Sequence, residues 1–371
     1  MAAGHGAGAE GTAGGDGARP RLVAAPVLRE FAAGLFAAAG LRAEDADRVA
    51  RCLVGADLRG TMTHGVSRCP IYLDRLARGV VNPRPRIAVE NLAPALARVD
   101  GDNGMGFLAA GRAMEEAIRR ARLCGIGLVV VRRSNHFGVA ASYLQQALDE
   151  GMAAFVFTNA SPTMPVWGGR VPFLGTSPFG FAAPGAEGAP PLLLDMATSV
   201  VARGRIRRAA AEGRPIPEGW ALDAAGRPTT DAQAAYEGLV LPLGGPKGSG
   251  LSLMMEVVAG VLSGSAFGGE VGDQYRDRDR PQDVGHCLIA LDPALVIAPE
   301  AYRARYAALV ARARACPPVD PDRPILLPGE PEALIEARRR REGIPVAAAD
   351  RAALRAEAAR LGVALPEALA A

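Results

Sequence analysis

The apolar residues of this 371-residue chain keep two different periods, and where each period falls limits what the chain can fold into. Near the start they recur at helical spacing, from about Ala25 to Ala39 and from Glu44 to Asp57, where Val49, Cys52 and Leu53 make one stripe. Gly60 ends the second of these helices. A third follows, with Ser67 as its expected N-cap and Pro70 in its first turn, where a missing N–H costs nothing. After the breaker "VNPRPR" the period shortens. "ALARVDG", "GIGLVVVRRS" (125–134), "AAFVFTN", "PLLLDMATS" and "GHCLIALDP" read as strands, and a helix over about 106–123 separates the first two. A long apolar helix is expected from Leu251 to about Leu262, and from Pro299 onward the chain is helical again. The run Arg338–Arg341 reads as the solvated face of one of those last helices.

The glycines exclude the two common nucleotide folds. In "DGDNGMGFLAAG" the glycine after Gly104-x-Gly106 comes too late for G-x-G-x-x-G, and "GIG" at 125–127 precedes a strand, whereas a Rossmann turn follows one. "GGPKGSG" is no Walker A, because Lys247 follows Pro246 and is not followed by Ser or Thr. Its glycines (244, 245, 248 and 250) still let backbone approach a ligand just before a helix N-terminus, although a plain loop into a buried helix fits the spacing equally well.

Bulk properties narrow the classes. Hydrophobic residues make up 49% and charged residues 22%, which suits a globular chain with a sizeable core. A net charge of +3 is too small to point to nucleic acid or an anionic membrane. Five cysteines without a C-x-x-C fit reduced thiols in a cytoplasm. The N-terminal Gly/Ala-rich stretch has no apolar h-region, so no signal peptide is expected, and no apolar run is long enough to span a bilayer. Residues 1–20, with His5, are expected to form a disordered tail.

Only four histidines occur, and two sit in unusual company. "LRGTMTHGVSRCPIYL" puts His64, Arg68 and Tyr72 four residues apart, with Thr63 beside the histidine. "RRSNHFGVAASYLQQALDEG" puts His136 between a Val-rich strand and a helix expected to begin about Phe137, a junction that favours anions. Ligand binding and helix capping are equal readings of His136. His286 lies inside a strand and reads as a satisfied core or interface residue. Metal binding by these histidines is disfavoured, since no H-x-x-H, H-E-x-x-H or close acidic partner supports it.

The stretches "ADLRGTMTHGVSRCPIYLDRLARGVVNPRP", "VDGDNGMGFLAAGRAMEEAI", "RRSNHFGVAASYLQQALDEGM", "FTNASPTMPVWGG", "LGTSPFGFAAP", "LLLDMATSVVARGRI", "IPEGWALDAAGRPTTD", "LPLGGPKGSGLSLMMEVVAGVLSG" and "LPGEPEA" together resemble the malate/L-lactate dehydrogenase family that does not use the Rossmann fold. Its members include sulfolactate and ureidoglycolate dehydrogenases, diketogulonate reductase and cyclic imine reductases. The resemblance runs from about residue 25 to 345 in the family's order. It implies an α+β fold, with a helical domain formed from both chain ends (21–85 and 296–371) and a cofactor domain with a mixed β-sheet (86–295). It implies a cytoplasmic enzyme, a homodimer, using NAD or NADP to interconvert a small 2-hydroxy acid and its 2-oxo acid. By the family's pattern His64 is the acid/base and Thr63 hydrogen-bonds near it. Arg68 grips the substrate carboxylate and Thr176 matches a substrate contact; Tyr72, one turn beyond Arg68, can close the pocket, although packing of its ring in the helical core fits at least as well. His136 serves the cofactor and active-site region. Asp195, Met196 and Ala197 match a cofactor-contacting turn, as do Lys247 and Gly248. Asn159, Ser161 and Leu327 to Glu330 are weaker carry-overs.

The chemistry fits that pattern. Reducing a 2-oxo acid needs a hydride at carbon, a proton at oxygen and a fixed carboxylate. Imidazole, with an ordinary pKa of about 6.5, suits the proton step. The planar guanidinium meets a carboxylate with two parallel hydrogen bonds. One departure stands out: Arg205 follows Gly204 where some cyclic imine reductases place an acid, which counts against that subtype, although an imine-2-carboxylate reductase or a ureidoglycolate dehydrogenase remains the alternative. A hydrolase with Thr63 as nucleophile is the different-class alternative, disfavoured because adjacent side chains point apart in regular structure. Neither the substrate nor the choice between NAD and NADP follows from the residues.

Overall fold

The protein is described here by a computed structural model covering residues 20–370. The expected tail and His5 lie outside the described residues, apart from Pro20. Seven strands form the central sheet, in the order Ala88–Ala93, Leu96–Asp100, Ile126–Ser134, Val284–Leu291, Ala153–Thr158, Phe179–Ala183 and Leu192–Met196. Neighbours run antiparallel except Leu96–Asp100 and Ile126–Ser134, whose parallel pairing requires a crossover. The helix Gly106–Cys124 is that crossover. It lies close on the sheet through Ala109, Ala113 and Ala117, all fully buried, and a Cβ on Gly127 would fall 2.1 Å from the Ala117 carbonyl oxygen. The sheet is thus mixed, as expected, and not a Rossmann fold.

A second core combines both chain ends. Leu28, Leu35, Phe36, Val49 and Leu53 from the helices Ala25–Ala38 and Ala43–Leu58 pack with Ile344, Val346, Leu354 and Leu369. Strand Arg21–Val23 pairs antiparallel with Ile344–Val346 and ties the two ends together. A smaller core around Met164, Leu174, Ile206, Ile216 and Val240 includes the helix Arg203–Ala211 and a sheet of three two-residue strands. The helix Pro299–Arg314 docks at the edge of the large sheet, with the Tyr302 and Tyr306 hydroxyls donating to the carbonyls of Pro184 and Pro190.

Several local expectations need correction. The third helix is Cys69–Ala77, with Pro70 in its first turn, but Ser67 does not cap it: its hydroxyl donates to the Met62 carbonyl. The helix after His136 begins at Ala141, not Phe137, because Gly138 at φ +81° is left-handed and cannot continue a right-handed turn. The helix expected at Leu251 already starts at Pro246, within the glycine-rich stretch, and passes into a π-helical segment, Glu256–Val261. The Arg338–Arg341 run is not wholly solvated. Arg339 is buried and donates to the Asp57 carbonyl and towards Met62 Sδ.

Candidate active site

The His64 segment is not one helix but two short 3₁₀ turns, Met62–His64 and Val66–Arg68, leading into Cys69–Ala77. Gly65 is the joint between them. A Cβ there would fall 1.8 Å from Asp57 Oδ1, so only glycine leaves room for that carboxylate. Asp57, at the end of helix Ala43–Leu58, is buried, and its Oδ2 accepts the Val66 N–H at 2.8 Å. Burial pushes its carboxyl up to about 7, against the pull of that N–H and of Arg339.

Thr63 Oγ and His64 Nδ1 lie 3.1 Å apart. The expectation that adjacent side chains point apart therefore fails in this tight turn. The His64 ring stacks on His136, with centroids 5.5 Å apart. Burial, then Arg68 and Arg207, push His64 down to about 3, so it is neutral at ordinary pH. Arg68, largely buried, donates from Nε to the Thr63 carbonyl at 2.7 Å and from its terminal nitrogen to the Tyr275 hydroxyl at 2.9 Å. It does not pair with Asp74, whose carboxylate takes Arg78 at 2.7 Å.

Tyr72 and His136 meet across the fold. The Gly138 N–H donates to His136 Nδ1 at 3.2 Å, which makes that nitrogen an acceptor, so the Tyr72 hydroxyl at 2.8 Å is a donor and the ring proton sits on Nε2. Burial, with Arg68, His64 and His286, holds His136 well below the usual imidazole range. A Cβ on Gly106 would fall 2.0 Å from the Asn135 carbonyl oxygen, so the backbone carrying His136 rests directly on the crossover helix. His286 is a core residue as expected: Thr158 and Ser134 hydroxyls lie 2.7 and 2.9 Å from its two ring nitrogens, and Phe137 stacks on it at 4.8 Å.

The remaining sequence-derived residues take different parts. Thr176 uses its carbonyl to accept from the N–H and hydroxyl of Thr198, and its own hydroxyl makes no hydrogen bond among the described residues. Asn159 is tied at both ends, to the Ala266 carbonyl at 2.7 Å and the Gly285 N–H at 3.0 Å, and Ser161 donates to the Gly272 carbonyl. Asp195 accepts the Ala141 N–H at 2.9 Å, at the start of helix Ala141–Asp149. Met196 ends its strand beside Phe179, and Ala197 follows it. The Leu327 N–H donates to Glu330, and the Pro328 carbonyl accepts from Leu193, which docks that segment on the edge strand.

Lys247 stands exposed in the first turn of Pro246–Met255. It forms no ion pair among the described residues. Gly244 and Gly245 before it have φ of +59° and +63°, and a Cβ on Gly248 would fall 2.5 Å from Leu243 backbone. Pro246 has no N–H, and the N–H groups of Lys247, Gly248 and Ser249 are taken by the carbonyls of Gly244, Leu243 and Gly245, so what this helix start offers an anion is the exposed Lys247 ammonium.

Two residues went unnoticed in the sequence. Tyr275 reaches Arg68 because the buried Arg75 holds its loop, donating to the carbonyls of Asp277 at 2.7 Å and Arg280 at 3.0 Å. Arg207 lies over the same Tyr275 ring at 5.2 Å. Its only signal was helical spacing: it stands one turn beyond Arg203, on the helix whose Gly204 approaches Thr63. Among the described residues no group of three His, Cys, Asp or Glu is placed to hold a metal ion.

Comparison with known proteins bears on this arrangement. The family model described as malate/L-lactate dehydrogenase matches residues 23–355. The (2R)-3-sulfolactate dehydrogenase (NADP(+)) of Chromohalobacter salexigens is 39% identical over 74% of this chain and 82% of its own. The ureidoglycolate dehydrogenase (NAD(+)) of Escherichia coli is 35% identical over 83% and 87%. The structure of sulfolactate dehydrogenase from Methanocaldococcus jannaschii superposes with a TM-score of 0.85 at 34% identity, over 92% of this chain and 98% of that one. The chain belongs to the malate/L-lactate dehydrogenase family of NAD(P)-dependent 2-hydroxy acid oxidoreductases.

Proposed function

We propose that the substrate is a small 2-hydroxy or 2-oxo acid of the malate or lactate type, and that His64 and Arg68 carry the reaction on it. The observation behind this reading is their placement on adjoining turns, with the arginine bonded among the described residues to neutral partners alone, the Thr63 carbonyl and the Tyr275 hydroxyl. A guanidinium held in this way keeps donors for a carboxylate. The neutral imidazole of His64 takes the proton of the substrate hydroxyl during oxidation, and its protonated form returns it during reduction. Thr63 Oγ fixes the ring's orientation. The Tyr72–His136 pair, with Nδ1 occupied, leaves the Nε2–H of His136 as a fixed donor in the plane of its own ring, which stacks on His64. Tyr72 and Thr176 border the substrate.

The bound nicotinamide supplies or accepts the hydride. Lys247 and Gly248, at the helix start, hold its diphosphate, and Asp195, Met196 and Ala197 line the cofactor region, with Asn159 and Ser161 supporting that wall. A cytoplasmic location is supported by five cysteines that are all unbridged. No helix among the described residues is long and apolar enough to cross a membrane. A homodimer is supported by Leu253, Met254, Val257, Val261 and Leu262, which leave an apolar stripe exposed along 246–262 of a kind that monomers seldom carry. Light scattering on the purified chain tests the dimer. A panel of 2-oxo acids and cyclic imines, with NADH and NADPH and followed at the nicotinamide absorbance, tests the reaction. Turnover of imines but not oxo acids rejects it.

A further inference from the structure

Two guanidinium groups flank the ring of Tyr275: Arg68 with its central carbon 5.8 Å from the ring centroid, and Arg207 at 5.2 Å. Among the described residues neither has a carboxylate within ion-pair distance. Arg203, on the same helix face, shows the contrast. It pairs with Asp273 at 3.7 Å and stacks on Tyr236 at 5.1 Å. Nearby Arg208 is likewise taken by Glu212 at 2.7 Å. Asp350 feels Arg207 only at longer range and forms no ion pair with it. Arg68 is largely buried and Arg207 half-buried, and both act on His64. Two partly desolvated cations without a counter-charge are costly beside a reacting centre, and one monoanion neutralises only one of them.

We propose that Arg207 is a specificity-determining residue that receives a second anionic group of the substrate, so that the enzyme selects 2-hydroxy and 2-oxo acids bearing a further carboxylate or sulfonate over monoanions. This rests on the assignment of Arg68 to the 2-carboxylate. With a dianion bound, each guanidinium has one anionic group, and Tyr275 separates the two by stacking against both. With a monoanion bound, Arg207 stays uncompensated, and this penalises the wrong substrate as well as favouring the right one. The neutral chemistry of the hydride and proton steps is the same for both substrates, so the difference falls on binding in the transition state.

The test compares oxaloacetate and 3-sulfopyruvate with pyruvate, in wild type, Arg207→Gln and Arg207→Lys, using NADH and NADPH. Wild type is expected to favour the dianions in kcat/KM by about 10- to 200-fold, the weight of one charge-assisted hydrogen bond. Arg207→Gln is expected to lose at least tenfold more on the dianions than on pyruvate, and Arg207→Lys to retain part of the preference. A wild type that favours pyruvate, or an Arg207→Gln loss equal on all three, overturns the assignment of Arg207 while leaving the dehydrogenase reading intact. No turnover of any of the three by protein that binds NAD(P)H overturns the 2-hydroxy acid reading and this inference with it.

Discussion

Tyr72 donates its hydroxyl proton to His136 Nδ1 at 2.8 Å, across 64 positions of sequence, and its ring stands edge-on to Phe107 at 5.6 Å. The hydroxyl fixes a tautomer, while the ring fills the core. Tyr72→Phe is therefore expected to keep its melting temperature and to lower kcat by about fivefold, the worth of one neutral hydrogen bond of roughly 1 kcal/mol. A thermal melt beside steady-state kinetics separates the two roles.

His64, held near 3 in the free protein, sets opposite pH dependences for the two directions. Reduction needs the imidazolium, whose share falls as pH rises above that value, so kcat/KM for an oxo acid should fall steadily from pH 5 to 8. Oxidation needs the neutral ring, so its kcat/KM should show no histidine limb near pH 6.5. His64→Asn should lower kcat by about 10²–10⁴-fold in both directions and abolish the slope in reduction. An intact slope in that variant would assign the proton to another group.

Lys247 has no carboxylate partner among the described residues and stands at a helix start. Lys247→Ala should raise the Kd for NAD(P)H by about 10- to 200-fold, the weight of one charge-assisted contact, and leave the ranking of oxo acids as it is. Nicotinamide fluorescence titration measures the first and the substrate panel the second.

Asp57 fills the place of a side chain at Gly65 and accepts the Val66 N–H at the joint between the His64 and Arg68 turns. Asp57→Ala leaves that buried N–H without its acceptor, a cost of about 1–3 kcal/mol, and frees the joint. kcat/KM should fall more than cofactor affinity does. Asp57→Asn, which retains a carbonyl acceptor, should recover most of it. The ratio of kcat/KM to cofactor Kd across the two variants is the deciding measurement.

Those two turns also show what a sequence discloses. Helices with a steady apolar stripe, such as Ala25–Ala38 and Gly106–Cys124, and Val-rich strands such as Ile126–Ser134 were legible because their pattern is local. The motifs around His64, His136 and Lys247 were legible as a family resemblance. The two 3₁₀ turns were not, since they depend on Asp57 occupying the space at Gly65. Nor was the pairing of Arg68 with Tyr275, which depends on Arg75 pinning a loop some two hundred positions away. Phe137 looked like a helix start because residue type does not disclose that the next glycine is left-handed.

The strand pair that joins Arg21–Val23 to Ile344–Val346 also sets when this protein can come into being. The helix Ala25–Ala38 and the turn bearing Arg68 are synthesised early, yet the helix Ala348–Leu361 that they pack on comes far later in the chain. At about 5–20 residues per second that gap is on the order of tens of seconds. Throughout it, Leu28, Leu35 and Phe36 lack part of their cover, and the nascent chain carries its histidine and arginine without the frame that aligns them. The frame that aligns them is therefore completed only when Ile344–Val346 reaches Arg21–Val23.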